Sequence, residues 1–179
     1  MNFLTKKEND INNKFISNGY TIINTENKKS LNYIHNIIYR KTKNYLNTKR
    51  KINLNYIHKM ISVNDLNDFR LKIIDAISND KLARFHYFNI ARENIYSLAG
   101  NELMMQKNIN LSIQFPNDNS SLLPIHSDVW SGDSPYEVVA WVPLVNCFKT
   151  KAMFILNPEK TKILNDDFSN LAGQNSANL

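Results

Sequence analysis

The chain has 179 residues, of which 42% are hydrophobic and 21% are charged. These values are typical of a globular domain and exclude a wholly disordered chain. No apolar run approaches the length of a membrane span, and the first ten residues lack the features of a secretory signal. The single Cys147 excludes an internal disulfide and is typical of a reducing compartment. We therefore expect one cytoplasmic domain without a membrane span.

The net charge of +6 is unevenly distributed. Residues 1–60 contain 12 Lys and Arg against 3 Asp and Glu, whereas residues 61–179 contain 10 against 13. We interpret the basic half as the solvated surface of helices. Attraction of an anionic or nucleotide-linked substrate is the main alternative. No aromatic–glycine pattern of RNA-binding domains accompanies the lysines, so we expect no nucleic-acid partner.

Apolar residues recur at helical intervals up to about Gly100. Thr5 and Glu8 predict a capping box at the start of a first helix, and Gly19 predicts its end. Residues 20–23 then predict a short strand. Residues 48–61 are compatible with either a loop or a helix.

Three further helices are predicted before Gly100. The first is capped by Ser30, the second begins at Asn64 or Asp65, and the third runs from about Asp80 to Leu98. Each has a stripe of residues that we expect to face the core. The three stripes are Leu31, Ile34, Ile38 and Tyr45; Leu66, Phe69, Ile73, Ile74 and Ile77; and Leu82, Phe85, Phe88, Ala91, Ile95 and Leu98.

From about Asn108 the apolar period changes to two. Leu111, Ile113 and Phe115 alternate with polar residues, which predicts a strand with one wet face. Further strands are predicted at about 122–128, 137–144 and 152–158, separated by turn-rich segments. We therefore predict a single α+β domain over residues 1–179. In it, a helical region of residues 1–100 packs on an incomplete double-stranded β-helix (jelly roll) of residues 101–179.

His126 and Asp128 are the strongest chemical candidates. Side chains two positions apart on an extended segment point to the same side, so an imidazole and a carboxylate could reach one metal ion. Two histidines and one carboxylate on one face are the ligand set of non-haem Fe(II) oxygenases. This chain offers two of the three. The alternative makes His126 a hydrogen-bonded strand residue and Asp128 the cap of the following turn.

The other candidates are weaker. His35, in the second predicted helix, and His58, in a basic stretch, have no metal-ligand spacing, and neither has His86. For His86, which lies between aromatic residues, a packed or surface role is favoured. Gln114 lies on the wet face of the first strand, where it could contact a cofactor or only solvent. Trp141 could line a cofactor pocket or pack in the core.

The segment from Asn101 to Pro158, with its string HSDVWSGDSPYE, resembles a bacterial family. It is similar to the sporadic carbohydrate cluster 2-oxoglutarate/Fe(II) oxygenases, relatives of the phytanoyl-CoA dioxygenase group. The resemblance is looser over the preceding helices. It implies a double-stranded β-helix, Fe(II), 2-oxoglutarate and dioxygen, with His126 and Asp128 as the first two iron ligands.

The family's distal histidine, and the arginine that binds the far carboxylate of 2-oxoglutarate, have no counterpart in this sequence. The resemblance therefore implies the N-terminal portion of such an enzyme, which on its own binds iron weakly and is inactive or nearly so. The expected function is that of a hydroxylase-type dioxygenase in surface carbohydrate or polysaccharide biosynthesis, acting on a small carbohydrate or sugar-linked substrate. Two alternatives stay open: a non-catalytic jelly-roll binding module without its iron site, and a basic helical nucleic-acid binder with an appended sheet.

Overall fold

The computed structural model describes residues 3–25, 27–118 and 125–168. Over these ranges the chain forms five α-helices and three 3₁₀-helices, and it forms no β-strand. The α-helices are α1 (Lys6–Asn18), α2 (Lys28–Tyr45), α3 (Leu66–Ser78), α4 (Ala83–Ala99) and α5 (Pro158–Phe168), and the 3₁₀-helices are Leu54–Lys59, Asp128–Ser131 and Lys149–Lys151. No helix in the described ranges is long and apolar enough to cross a membrane.

The first helix begins and ends where the sequence predicts. The Thr5 hydroxyl accepts from the Glu8 amide, and the Glu8 carboxylate accepts from the Thr5 amide at 2.6 Å. Hydrogen bonds to the Glu8 carboxylate from the Thr5 side chain and the Thr5 amide hold the pKa of this carboxyl below its usual value. Gly19 ends the helix with a φ of 78°, in the left-handed region that favours glycine. The strand predicted at residues 20–23 is wrong, and Ile22 is 88% exposed.

The second helix begins earlier than predicted, because Asn27 caps it. The Asn27 side chain accepts from the Ser30 amide at 3.0 Å. Ser30 therefore lies inside α2, where it is buried. Ile34 and Ile38 face the core as predicted.

The stripe predicted for α3 is confirmed, with Leu66, Phe69, Ile73 and Ile77 buried. The stripe predicted for α4 is wrong in part. Leu82 and Phe85 are 51% and 60% exposed, whereas Ala83 and Ile90 are buried. The inward face of α4 is rotated relative to the predicted stripe. It includes His86 and Tyr87, whose polar atoms form hydrogen bonds with other parts of the protein.

The core lies where α2 packs against both α3 and α4, with α1 packed on α4. Its buried members come mainly from the helices, and two come from the segment that follows them. They are Ile34, Ile38, Ile52, Leu54, Ile61, Leu66, Phe69, Ile73, Ile77, Ala83, Ile90, Ile109 and Phe115. The Leu54–Lys59 3₁₀-helix occupies part of the stretch for which the sequence left loop and helix open.

The predicted α+β fold with an incomplete jelly roll is wrong. Residues 109–115 and 138–144 keep the alternation of buried and exposed side chains that predicted strands, yet neither segment pairs with another strand. Instead, helix side chains bond to their backbone. The Arg70 guanidinium donates to the Ile113 carbonyl, and the Tyr87 hydroxyl donates to the Ala140 carbonyl. The alternating pattern specifies which side chains are buried, but it does not specify which groups form hydrogen bonds with the backbone N–H and C=O. Part of the predicted strand at 122–128 lies outside the described residues.

Candidate metal site at His126 and Asp128

The structure brings His126 and Asp128 together. Ser127, between them, has extended backbone angles (φ −121°, ψ 136°), so its two neighbours project to the same side. The Nε2 atom of His126 lies 3.7 Å from Oδ1 of Asp128. The His126 side chain is 32% exposed and that of Asp128 is 52% exposed, so both are open to solvent on at least one side.

A tight turn holds Asp128 in this position. The 3₁₀-helix Asp128–Ser131 begins at the carboxylate residue, and Gly132 ends it with a φ of 97°. The backbone carbonyl of Asp128 accepts from the Asp133 amide at 3.2 Å, and the Ser127 carbonyl accepts from the Trp130 amide at 2.9 Å. Trp130, within this turn, is buried. The backbone bonds of this turn hold Asp128, whose carboxylate lies beside the His126 ring.

The two donor atoms suit a divalent cation. Two ligand atoms that each lie about 2.1 Å from an ion, at a right angle to one another, are separated by about 3 Å. The separation of 3.7 Å therefore needs only a small side-chain rotation to reach a shared ion. No group of three or more His, Cys, Asp or Glu side chains able to hold a metal occurs in the part of the chain that the structure describes. The residues present thus fit two ligands of the expected three.

Gln114 and Trp141, predicted to contact a cofactor, lie on the two segments with alternating burial. Gln114 is exposed, between the half-buried Ile113 and the buried Phe115. Trp141 is 46% exposed, beside Val142, which packs against the core. The wet face predicted for Gln114 is therefore observed, and Trp141 does not lie in the core. A cofactor role for either residue stays a prediction.

The remaining histidines belong to the helical body. His86 Nδ1 lies 3.0 Å from the Ser30 hydroxyl, and its ring stacks on Tyr33 with ring centres 4.0 Å apart. The ring of His35 is near Tyr39, and that of His58 is near Phe115. For His86 the sequence favours a packed or surface role, and the packed role is the one observed.

A polar network between α2 and α4 was missed in the sequence. The Tyr33 hydroxyl donates to the Asp80 carboxylate at 3.0 and 3.1 Å, while its ring stacks on His86. Desolvation and this hydrogen bond raise the pKa of Tyr33. The spacing of Ser30 and Tyr33 places them on one helix face, but no sequence pattern indicates that this face meets His86 and Asp80.

Comparison of the chain with protein-family models, with curated proteins and with solved structures gives no match. The relation to the 2-oxoglutarate/Fe(II) oxygenases therefore stays a prediction, based on the residues of the segment 101–158. What the structure adds is the geometry of the two residues on which that relation chiefly depends.

Proposed function

We propose that this chain binds ferrous iron through His126 and Asp128, as a relative of the Fe(II)/2-oxoglutarate dioxygenases. The observation that carries the proposal is the 3.7 Å separation of the imidazole nitrogen and the carboxylate oxygen across an extended Ser127. An imidazole and a carboxylate are two of the three ligands in the facial arrangement used by non-haem iron oxygenases.

Each residue has a distinct task in this proposal. In the metal complex Nε2 of His126 would donate its lone pair, and Asp128 would supply a negative charge that offsets part of the charge of the cation. The turn closed by the Asp128 carbonyl holds the backbone that carries this carboxylate. When bound, Fe(II) with 2-oxoglutarate and dioxygen supplies the oxidising chemistry that hydroxylates a C–H bond. The resemblance suggests a carbohydrate or sugar-linked substrate.

Two ligands hold a metal less tightly than three. We therefore propose that iron binding by the described residues is weak and that 2-oxoglutarate turnover is slow. A bidentate arginine pair, the contact best suited to the far carboxylate of 2-oxoglutarate, has no assigned residue here.

The proposal is tested by anaerobic titration with Fe(II), followed by the fluorescence of the tryptophans, because Trp130 lies two residues from Asp128. We expect saturable quenching that is lost in both His126→Ala and Asp128→Ala. The matched control is His58→Ala, which removes a histidine of the helical body and should leave the titration unchanged. Equal quenching in the wild type and in both site variants contradicts the proposal.

A second readout concerns the cofactor. Release of CO₂ from labelled 2-oxoglutarate, measured with Fe(II) and dioxygen, should be slow in the wild type and absent in His126→Ala. Turnover that is equal in the two proteins would assign the activity to contaminating iron in solution and would contradict the oxygenase role, even if metal binding persisted.

A further inference from the structure

One region of the surface combines a high positive charge with a lack of acidic residues. Residues 27–64 contain nine Lys and Arg and no Asp or Glu. None of the nine forms an ion pair within the described parts of the chain. Lysine and arginine on ordinary helix surfaces are usually interleaved with acids, so this stretch is unusual for a merely solvated face.

The fold concentrates part of this charge at one turn. α2 ends at Tyr45, and the chain then reverses at Asn47, whose φ is 46°. The Thr48 amide donates to the Lys43 carbonyl at 3.1 Å, and the Lys43 ammonium donates to the Lys49 carbonyl at 3.1 Å. The reversal therefore brings the last turns of the helix beside the loop that follows. We call this surface the basic turn; it consists of Arg40, Lys43, Lys49, Arg50 and Lys51.

The basic turn is fixed rather than loosely attached. Immediately after it, Ile52 is buried in the core, and its amide lies 3.4 Å from the Tyr39 hydroxyl. Leu54 is also buried, at the start of the 3₁₀-helix Leu54–Lys59. The turn that brings Lys43 beside Lys49 is thus held in place before any partner arrives. The free-energy cost of bringing these like charges together is therefore offset by folding and not by binding.

An aromatic ring is exposed shortly after the basic turn. Tyr56 is 54% exposed, and the Lys59 ammonium lies 5.1 Å from the centre of its ring. Surfaces that bind single-stranded nucleic acids combine backbone-tracking cations with aromatic rings on which bases stack. From the absence of acids within residues 27–64, the cations at the turn and the exposed ring, we propose that the basic turn and Tyr56 bind single-stranded nucleic acid. This proposal is independent of the metal site, and it differs from the sequence-based expectation of no nucleic-acid partner.

Two other anionic partners are less well matched. A membrane surface would favour exposed apolar side chains among the cations, but none of the exposed large apolar residues of the described chain lies within residues 40–51, which contain the basic turn. A small anion would favour a groove without negative charge. The groove beside the basic turn, which includes Lys41 and Tyr45, also contains the carboxylates of Asp65 and Asp68.

The test is the binding of a fluorescein-labelled oligo-dT of about 20 nucleotides, followed by anisotropy over a range of salt concentrations. The variant is Lys49→Gln/Arg50→Gln/Lys51→Gln. The matched control, Lys149→Gln/Lys151→Gln/Lys162→Gln, removes the same charge from exposed positions elsewhere. We expect the first triple variant to weaken binding by more than tenfold and the control by less than threefold. The slope of log K against log salt should fall by about 2 in the first variant, since each phosphate contact contributes about 0.7.

Stacking is tested separately with Tyr56→Ala and Tyr56→Phe. Loss of the ring should weaken binding by at least about fivefold, the lower end of the range for one stacked base, whereas Tyr56→Phe should bind like the wild type. Circular dichroism confirms that each variant is folded. Equal weakening by the two triple variants, or binding to phosphatidylglycerol vesicles without binding to the oligonucleotide, overturns the proposal.

Discussion

The hydroxyl of Tyr87, on α4, donates a hydrogen bond to the backbone carbonyl of Ala140. Through this bond the helical body holds the segment that follows the candidate metal site, in which Val142 and Leu144 pack against the core. No strand supplies a partner for the Ala140 carbonyl within the described residues. The hydrogen bond from Tyr87 therefore adds to the packing of Val142 and Leu144 in attaching this segment to the helical body.

Replacing Tyr87 with phenylalanine should loosen the segment. The ring stays, but the Ala140 carbonyl loses its donor, and the free energy of unfolding should fall by about 1 kcal/mol. Amide exchange in residues 138–145 should accelerate more than in α2. The control is Tyr96→Phe on the same helix, whose ring packs on Phe88. Uniform acceleration in both variants would show that the bond does not hold the segment.

The same residue predicts a dependence on alkaline pH. Burial raises the pKa of Tyr87 above the ordinary value of 10.0. Its contribution to stability is therefore fully present below pH 10 and is lost as the pH rises through the folded-state pKa. Chemical denaturation between pH 8 and about pH 11 should show a smaller loss of stability in Tyr87→Phe than in the wild type. The pKa values of Tyr33 and Tyr45 are also raised, so these two residues contribute to the loss of stability in both proteins. Identical slopes would contradict this assignment.

Replacing Thr42 with valine should stabilise the folded protein. Its side chain is fully buried in α2, and its hydroxyl has no hydrogen-bond partner among the described residues. Valine has nearly the same shape without the polar atom, so Thr42→Val should raise the free energy of unfolding by about 1 kcal/mol. Thr42→Ser, which keeps the hydroxyl and removes a methyl group, should lower it by a similar amount. A destabilised Thr42→Val variant would indicate that the hydroxyl does have a partner.

Asp68 should contribute to the acid sensitivity of the helical body. Hydrogen bonds from Lys72, at 2.9 Å, and from Tyr45 hold the pKa of the Asp68 carboxyl below its usual value. The stabilisation is present above the unfolded-state pKa and is lost as the pH falls through the lowered one. In Asp68→Asn, stability should therefore change less between pH 5 and about pH 2. A wild-type dependence on acid pH in Asp68→Asn would contradict this role of Asp68.

The helices were predictable because their ends and faces have local causes. The capping box of Thr5 and Glu8 and the left-handed Gly19 fix α1 without reference to any other element. The helical spacing of Leu66, Phe69 and Ile73 by itself predicts that these side chains are buried, as they are. The face of α4 was misjudged because His86 and Tyr87 face inward only through partners on other elements, Ser30 on α2 and Ala140 in a later segment.

The predicted jelly roll was wrong because the alternation of apolar and polar residues does not by itself specify a strand. A strand requires a second backbone at hydrogen-bonding distance, and the period of two around Phe115 or Val142 contains no information about that neighbour. The proximity of His126 and Asp128 was predictable because it needs only one extended residue between them. The basic turn was not predictable, since the Lys43 ammonium reaches the Lys49 carbonyl only because the chain reverses at Asn47.

The proposal that His126 and Asp128 share one metal ion is tested most directly by NMR of the histidine ring nitrogens during titration with paramagnetic Mn(II). The ring signals of His35, His58 and His86 serve as controls within the same molecule. We expect the Nε2 signal of His126 to broaden first, and Asp128→Asn to raise the Mn(II) concentration required by at least about tenfold. Simultaneous broadening of all four histidines, or an unchanged requirement in Asp128→Asn, would contradict a metal site formed by these two residues.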